Sequence, residues 1–277
     1  MVMSLPFPPH CSVGLISDVV QEREKGVNFA YFTGIQAEWE SRTQEYLRHR
    51  GSPEYVPQWL GITPARKTSF LTLYLSHREG SSQRVVIEDL NDHSLNYCPA
   101  CGEFGRPNTL DHYLPKGKYP HFCITPANLF PMCDRCQKEK GEKTGTIAEP
   151  RFFLHPYFDA FLSEQILRVI IEPPYNAPSF RIAISSALDA EQTAVVASHI
   201  RELEIEARFA HFFKDEVVRT WKQAAKMRST RVPIELALQM FDDMYEPNTW
   251  QQLYHASVLG NADFIDYLQH GDLPEDV

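Results

Sequence analysis

Two Cys-x-x-Cys pairs constrain this chain more than anything else in it. Cys98 and Cys101 form one pair, Cys133 and Cys136 the other. A tight turn brings the two sulfurs of each pair together, and two pairs complete a tetrahedral four-sulfur zinc site. The other two cysteines, Cys11 and Cys123, stand alone and read as small hydrophobes. Residues 1–10 lack the basic run and apolar stretch of a secretory leader, which leaves the cytoplasm as the default compartment. There, paired Cys-x-x-Cys units favour metal over disulfides. Thirty-one residues separate Cys101 from Cys133, more than many zinc ribbons use, so the segment carries something besides a turn.

That segment is poor in long apolar runs and rich in Cys, His, Pro, Lys and Tyr, so it needs a metal staple to hold a core. Charge also distinguishes it. The whole chain carries −9, which argues against a protein that coats nucleic acid through a basic surface. Between Cys98 and Gly145, seven Lys or Arg face five Asp or Glu, so this stretch is +2 and the remainder −11. No run approaches the roughly 18 apolar residues of a membrane span, and no membrane role is expected.

The 277 residues divide by texture into three regions. Residues 1–95 read as a helical scaffold or docking region, with helices over Val13–Lys25, Ile35–Arg50 and Pro64–Arg78. Gly51-Ser52-Pro53 breaks the second helix. After a loop at Ser81-Ser82, the stretch Val85–Leu90 leads towards the cysteines. Residues 96–160 hold the cysteine segment. Residues 161–277 begin with two strands, Ile166–Glu172 and Phe180–Ser185, around a Pro173-Pro174 joint. A long helix over Asp189–Lys226, with Asp189 as N-cap, and helices over Val232–Met244 and Thr249–Leu268 follow. Aromatic residues in Arg208–Phe213 read as helix core or a subunit interface. The fold class expected is α+β, mainly helical.

Inside the cysteine loop, Asp111-His112 puts a carboxylate beside an imidazole, and Asn128 follows sixteen residues later. A helix starting near Cys136 would carry Gln137, Glu139 and Lys140 on its first turns, facing the Asp-His pair. Hydrolysis of a phosphodiester needs an activated water, for which a neutral histidine is a suitable base. It also needs a hard cation to stabilise charge on the phosphate. Asp111 and the amide oxygen of Gln137 are apt ligands for magnesium or manganese. Asn128 is suited to fixing the histidine loop, and Lys116 or Lys140 to holding a phosphate. Lys116, Lys118, Lys138 and Lys143 read equally as a phosphate-facing cluster or a solvated face.

The string Cys-x-x-Cys, Leu110-Asp111-His112-Tyr113-Leu114-Pro115-Lys116, Tyr119-Pro120, Asn128-Leu129-x-Pro131-x-Cys133-x-x-Cys136 and Lys140 resembles the HNH endonuclease family. His155-Pro156-Tyr157-Phe158-Asp159 further resembles a branch of that family found beside ATPases in bacterial anti-phage systems of the Septu or retron-linked kind. The resemblance covers about 60 residues. It implies a ββα-metal core with two zinc knuckles, flanked by helical regions. It also implies catalytic roles for His112 (general base), Asp111 (metal ligand), Asn128, Gln137 and Lys140, with His155, Asp159 and Lys116 supporting. The family usually has His or Asn where this chain has Gln137, so Glu139 or His155 is an alternative ligand. The function implied is metal-dependent cleavage of nucleic acid, DNA ahead of RNA or transfer RNA, with an ATPase partner; oligomeric state is left open. The alternative is an inactive, zinc-stabilised adaptor. A redox role is disfavoured, because matched pairs bracketing an Asp-His centre serve zinc better than thiol exchange.

Overall fold

The structure, a computed structural model, describes residues 3–231, 233–242 and 244–274. They form an α+β protein, about half helical, with two separate two-stranded antiparallel sheets. None of the described helices is long and apolar enough to cross a membrane. The chain falls into two compact units: residues 4–98 with 105–159, and residues 3 and 99–104 with the described residues from 160 to 274.

The first unit packs four helices around one aromatic core. Helix α1 (Gly14–Gln21) buries Leu15, Ile16, Val19 and Val20, two adjacent pairs one turn apart, so one face turns inward. Helix α2 (Phe29–Arg48) is the longest of the unit and buries Phe32, Trp39, Thr43 and Tyr46. Gly51, at φ +69°, ends the turn after it; a Cβ there would stand 2.8 Å from the Tyr46 hydroxyl, so glycine is required twice over. Helix α3 (Pro64–Leu75) starts with Thr63 accepting from the Arg66 N–H and with proline at its first position. Phe70 of α3 meets Phe32 and Trp39 with ring centroids 5.4 and 5.0 Å away. The stretch beyond Ser81-Ser82 is a helix, α4 (Ser82–Asn91), a finding the expected loop and lead-in did not include. Val86 and Ile87 sit on its buried face.

These helices grip the cysteine segment. Trp39 Nε1 donates to the His121 carbonyl at 2.7 Å, and the Tyr46 hydroxyl donates to the Ala127 carbonyl at 3.2 Å. The segment itself forms strand β1 (Thr109–His112), strand β2 (Leu129–Met132) and helix α5 (Asp134–Lys140). The strands pair Thr109 with Met132 through His112 with Leu129. Pro131 has no N–H to donate, which a strand tolerates at a sheet edge. Cys133 caps α5, its sulfur accepting from the Cys136 N–H at 3.4 Å, so the helix begins two residues before Cys136.

The second unit has its own core. Strands β3 (Leu167–Glu172) and β4 (Ser179–Ile184) pair from Leu167 with Ile184 to Glu172 with Ser179. The helix expected over Asp189–Lys226 is two helices, α6 (Ala190–Glu202) and α7 (Ile205–Thr230). Asp189 caps α6 in a full capping box with Gln192. Glu204 stands at φ +51°, and that single left-handed residue breaks the run. Of the helix expected over Val232–Met244, α8 (Ile234–Asp242) is present; residues 232 and 243 lie outside the described residues. Thr249–Leu268 likewise divides at Gly260-Asn261 into α9 (Trp250–Leu259) and α10 (Ala262–His270), because Asn261 accepts from the Phe264 N–H and starts a new helix. In α7, Arg208, Phe209 and Phe213 are buried, and Phe180 packs on Phe213 at 4.7 Å. Cys123 is fully buried, as a small hydrophobe should be. Cys11 is exposed, its sulfur accepting from the Gly14 N–H at 3.2 Å, because it precedes α1 rather than lying on its inner face.

Candidate active site and metal centre

The four paired cysteines converge. Their sulfurs all lie within 4.8 Å of one another, three of the residues are buried, and no disulfide joins them. Thiolates about 2.3 Å from a tetrahedral zinc stand roughly 3.8 Å apart, so this cluster fits the metal with small shifts. The donor chemistry agrees. Cys98 Sγ accepts the Cys133 N–H at 3.3 Å, and Cys101 Sγ accepts from the buried Arg208 guanidinium at 3.4 Å. Such donors stabilise sulfur as thiolate. Gly102, at φ +71°, supplies the left-handed turn that the first pair needs.

Beside this centre, the first turns of α5 face the end of β1. Asp111, His112, Pro115, Lys116, Asp134, Gln137, Lys138, Lys140, Gly141 and Glu142 line one cavity of about 340 Å³. Five candidates from the sequence therefore meet: Asp111, His112, Lys116, Gln137 and Lys140. Gln137, one position after Cys136, is half-buried.

His112 is 2 % exposed. Its Nε2 lies 2.9 Å from the Cys123 carbonyl oxygen. A carbonyl only accepts, so this nitrogen carries the proton, and Nδ1 keeps a bare lone pair. That Nδ1 is buried with no hydrogen-bond partner. Burial first, then the nearby Lys116 and Lys140 cations, lower the imidazole from its ordinary 6.5 to about 3. At neutral pH the ring is uncharged. The Tyr74 ring stands edge-on to it at 4.5 Å, and its hydroxyl donates to the Leu110 carbonyl at 3.1 Å. Burial and the Asp111 carboxylate raise the Tyr74 phenol to about 12, so it stays protonated.

Asp111 is buried and its Oδ2 lies 3.0 Å from Lys140 Nζ. The contact is an ion pair outside hydrogen-bonding alignment, for Oδ2 has no hydrogen bond. Lys140 donates instead to the His112 carbonyl at 2.6 Å and is 1 % exposed. Its ammonium braces the Asp-His strand and is not offered to a phosphate as a free grip; Lys116 and Lys138, also lining the cavity, are more exposed. A divalent cation would be held here by Asp111 and the Gln137 amide, and it would supply Lewis-acid stabilisation of a phosphate.

Three other candidates lie outside the cavity lining. Asn128, fully buried, accepts the Leu114 N–H at 2.7 Å and donates to the Leu114 and Phe122 carbonyls at 3.1 and 3.2 Å. It closes the loop that starts at His112 and uses both of its side-chain donors within that loop. His155 is fully buried, with Nε2 3.0 Å from the Tyr46 hydroxyl and Nδ1 accepting the Tyr157 N–H at 3.3 Å. Asp159 accepts the His155 N–H at 2.6 Å and pairs with Arg151, whose Nε donates to the Tyr113 hydroxyl at 2.9 Å. Glu139, the alternative metal ligand, is not among the lining residues.

Sequence reading missed several participants. Tyr74 comes from a helix with no motif, and the Cys123 carbonyl is backbone, so neither leaves a residue-type signal. Glu142 and Asp134 did leave one, as carboxylates at the two ends of α5.

No family model matches this chain, and no solved structure matches it. Among curated proteins, Protein ea31 of Escherichia phage lambda is similar: 25% identical over 247 residues, covering 81% of this chain and 83% of that protein.

Proposed function

We propose that this chain is a metal-dependent endonuclease of the HNH type, with a ββα-metal core around β1, β2 and α5 and structural zinc on Cys98, Cys101, Cys133 and Cys136. One observation carries the reading. His112 donates through Nε2 to a backbone carbonyl, so its Nδ1 is left as an unpartnered acceptor, and the residue lines one cavity with Asp111 and Gln137. An imidazole so fixed can take a proton from water as the water attacks phosphorus. Lys140 positions the ring by holding the His112 carbonyl, and Asn128 by tying the loop that follows it at Leu114 and Phe122. Lys116 and Lys138 offer positive charge to the phosphate.

DNA is the favoured substrate, RNA including transfer RNA the second. The −11 balance outside the cysteine segment motivates a protein partner, in our reading an ATPase of a bacterial anti-phage system, because this chain alone would hold nucleic acid weakly. The adaptor reading draws on a different observation: Lys140 already sits on Asp111 where a cation would need the carboxylate.

The test is a cleavage assay on DNA and RNA with magnesium or manganese, with and without a candidate ATPase. Wild type should cut and His112→Ala should not, while keeping its zinc. Equal behaviour of the two would favour the adaptor. Efficient cutting by the isolated chain at physiological salt would remove the partner requirement.

A further inference from the structure

The charge around Asp111 is not sufficient for a hard cation. Its carboxylate faces the Lys140 ammonium at 3.0 Å, Gln137 is neutral, and Lys116 and Lys138 add two more positive charges to the cavity lining. Magnesium and manganese are bound by anionic oxygen, and affinity rises with ligand charge. A second carboxylate is needed, and two line the cavity: Asp134 and Glu142. Asp134 opens α5, where its charge already complements the helix N-terminus. Glu142 lies just past the helix, beyond Gly141 at φ +49°, which reverses the chain.

Glu142 is placed for the task by an absent side chain. A Cβ built on Gly117, in the loop after β1, would stand 2.4 Å from both Glu142 carboxylate oxygens. The carboxylate therefore lies flat against that loop, in space that only glycine leaves open. It has no hydrogen-bond or ion-pair partner among the described residues. His112, whose buried Nδ1 has no hydrogen-bond partner, lines the same cavity, so unused polar capacity lies beside these carboxylates.

We infer that Glu142 is a ligand of the catalytic divalent cation, supplying the carboxylate that Lys140 offsets at Asp111 and that Gln137 does not provide. The inference rests on the nuclease reading above and assigns its metal site a residue outside the HNH motif. Asp111, Gln137 and Glu142 then converge on one cation from β1, α5 and the turn after α5. Gly117 is the positioning residue that lets the third one in.

The experiment is a manganese titration of the zinc-loaded, full-length protein, followed by calorimetry and by the electron paramagnetic resonance of free Mn²⁺. Wild type should bind one manganese beyond its zinc. Glu142→Gln should weaken that binding roughly tenfold or more, with zinc content and melting temperature unchanged. Gly117→Ala should weaken it less, because the glutamate can swing aside. Glu139→Gln, outside the cavity, should bind as wild type does. If Glu142→Gln binds manganese like wild type while Asp111→Asn does not, the inference fails and the nuclease reading stands. If wild type binds no manganese, both fall together.

Discussion

His112 and His155 make an instructive pair. Both are fully enclosed, both belong to strings that stand out in the sequence, and burial holds both rings uncharged well below their ordinary range. They differ in what is left over. His155 has Nε2 on the Tyr46 hydroxyl and Nδ1 on the Tyr157 N–H, inside a network that Asp159, Arg151 and Tyr113 complete. His112 uses Nε2 alone, and its Nδ1 has no partner beside a cavity lined by Asp111, Gln137 and Glu142. A perturbed, buried histidine is therefore not by itself a sign of chemistry. Unused hydrogen-bonding capacity beside a cavity is the better one.

The largest test strikes both histidines at once. Stripping the four-sulfur metal with a chelator should unfold residues 96–160, since structural zinc contributes about 10 kcal/mol or more to such segments. Near-ultraviolet circular dichroism and thiol titration would follow it; a segment that stays folded without metal would refute the staple. Next, His112→Ala should lower cleavage per folded molecule by about 10²–10⁴-fold, beyond any loss of stability from removing its buried ring. His155→Phe should spare cleavage. It should cost about 1–3 kcal/mol of stability, read by denaturant unfolding, and the molecules that remain folded should cut normally. If both variants lost activity equally at equal stability, the distinction drawn here would be wrong.

A third histidine sharpens the contrast at the small end. His121 is fully buried with neither ring nitrogen partnered, and burial lowers it from 6.5 to about 3. Its unfolded form takes up a proton near pH 6.5 and its folded form only near pH 3. Stability from this residue is complete above pH 6.5 and falls as pH drops through that window, by about 1.4 kcal/mol per unit. His121→Phe should match wild type at pH 7 and show a slope shallower by one proton between pH 6 and 4. An unchanged slope would mean that His121 finds a proton-holding partner in the folded state.

How much of this was legible in the sequence depended on where the information resides. The cysteine pairs declare themselves because a metal demands particular side chains at particular spacings, and their sulfurs do converge. The meeting of Asp111 and His112 with Gln137 was legible for a related reason: the second pair starts the helix that carries Gln137. Breaks between α6 and α7, and between α9 and α10, were not legible. Each turns on one or two residues, Glu204 and Gly260-Asn261, inside runs whose apolar spacing continues across the break. The Cys123 carbonyl that sets the His112 tautomer is backbone, and Tyr74 reaches the site only through the packing of α3. Tertiary packing decides such contacts, and no local pattern encodes them. Glu142 was overlooked because its interest comes from the cavity it shares and from the space above Gly117.

Nitrogen-15 NMR of the His112 ring at neutral pH tests the central claim most directly. The Nε2–H tautomer is expected, with Nδ1 unprotonated and the ring neutral from pH 8 down to pH 5. An Nδ1–H tautomer, or an imidazolium forming near pH 6.5, would contradict the account.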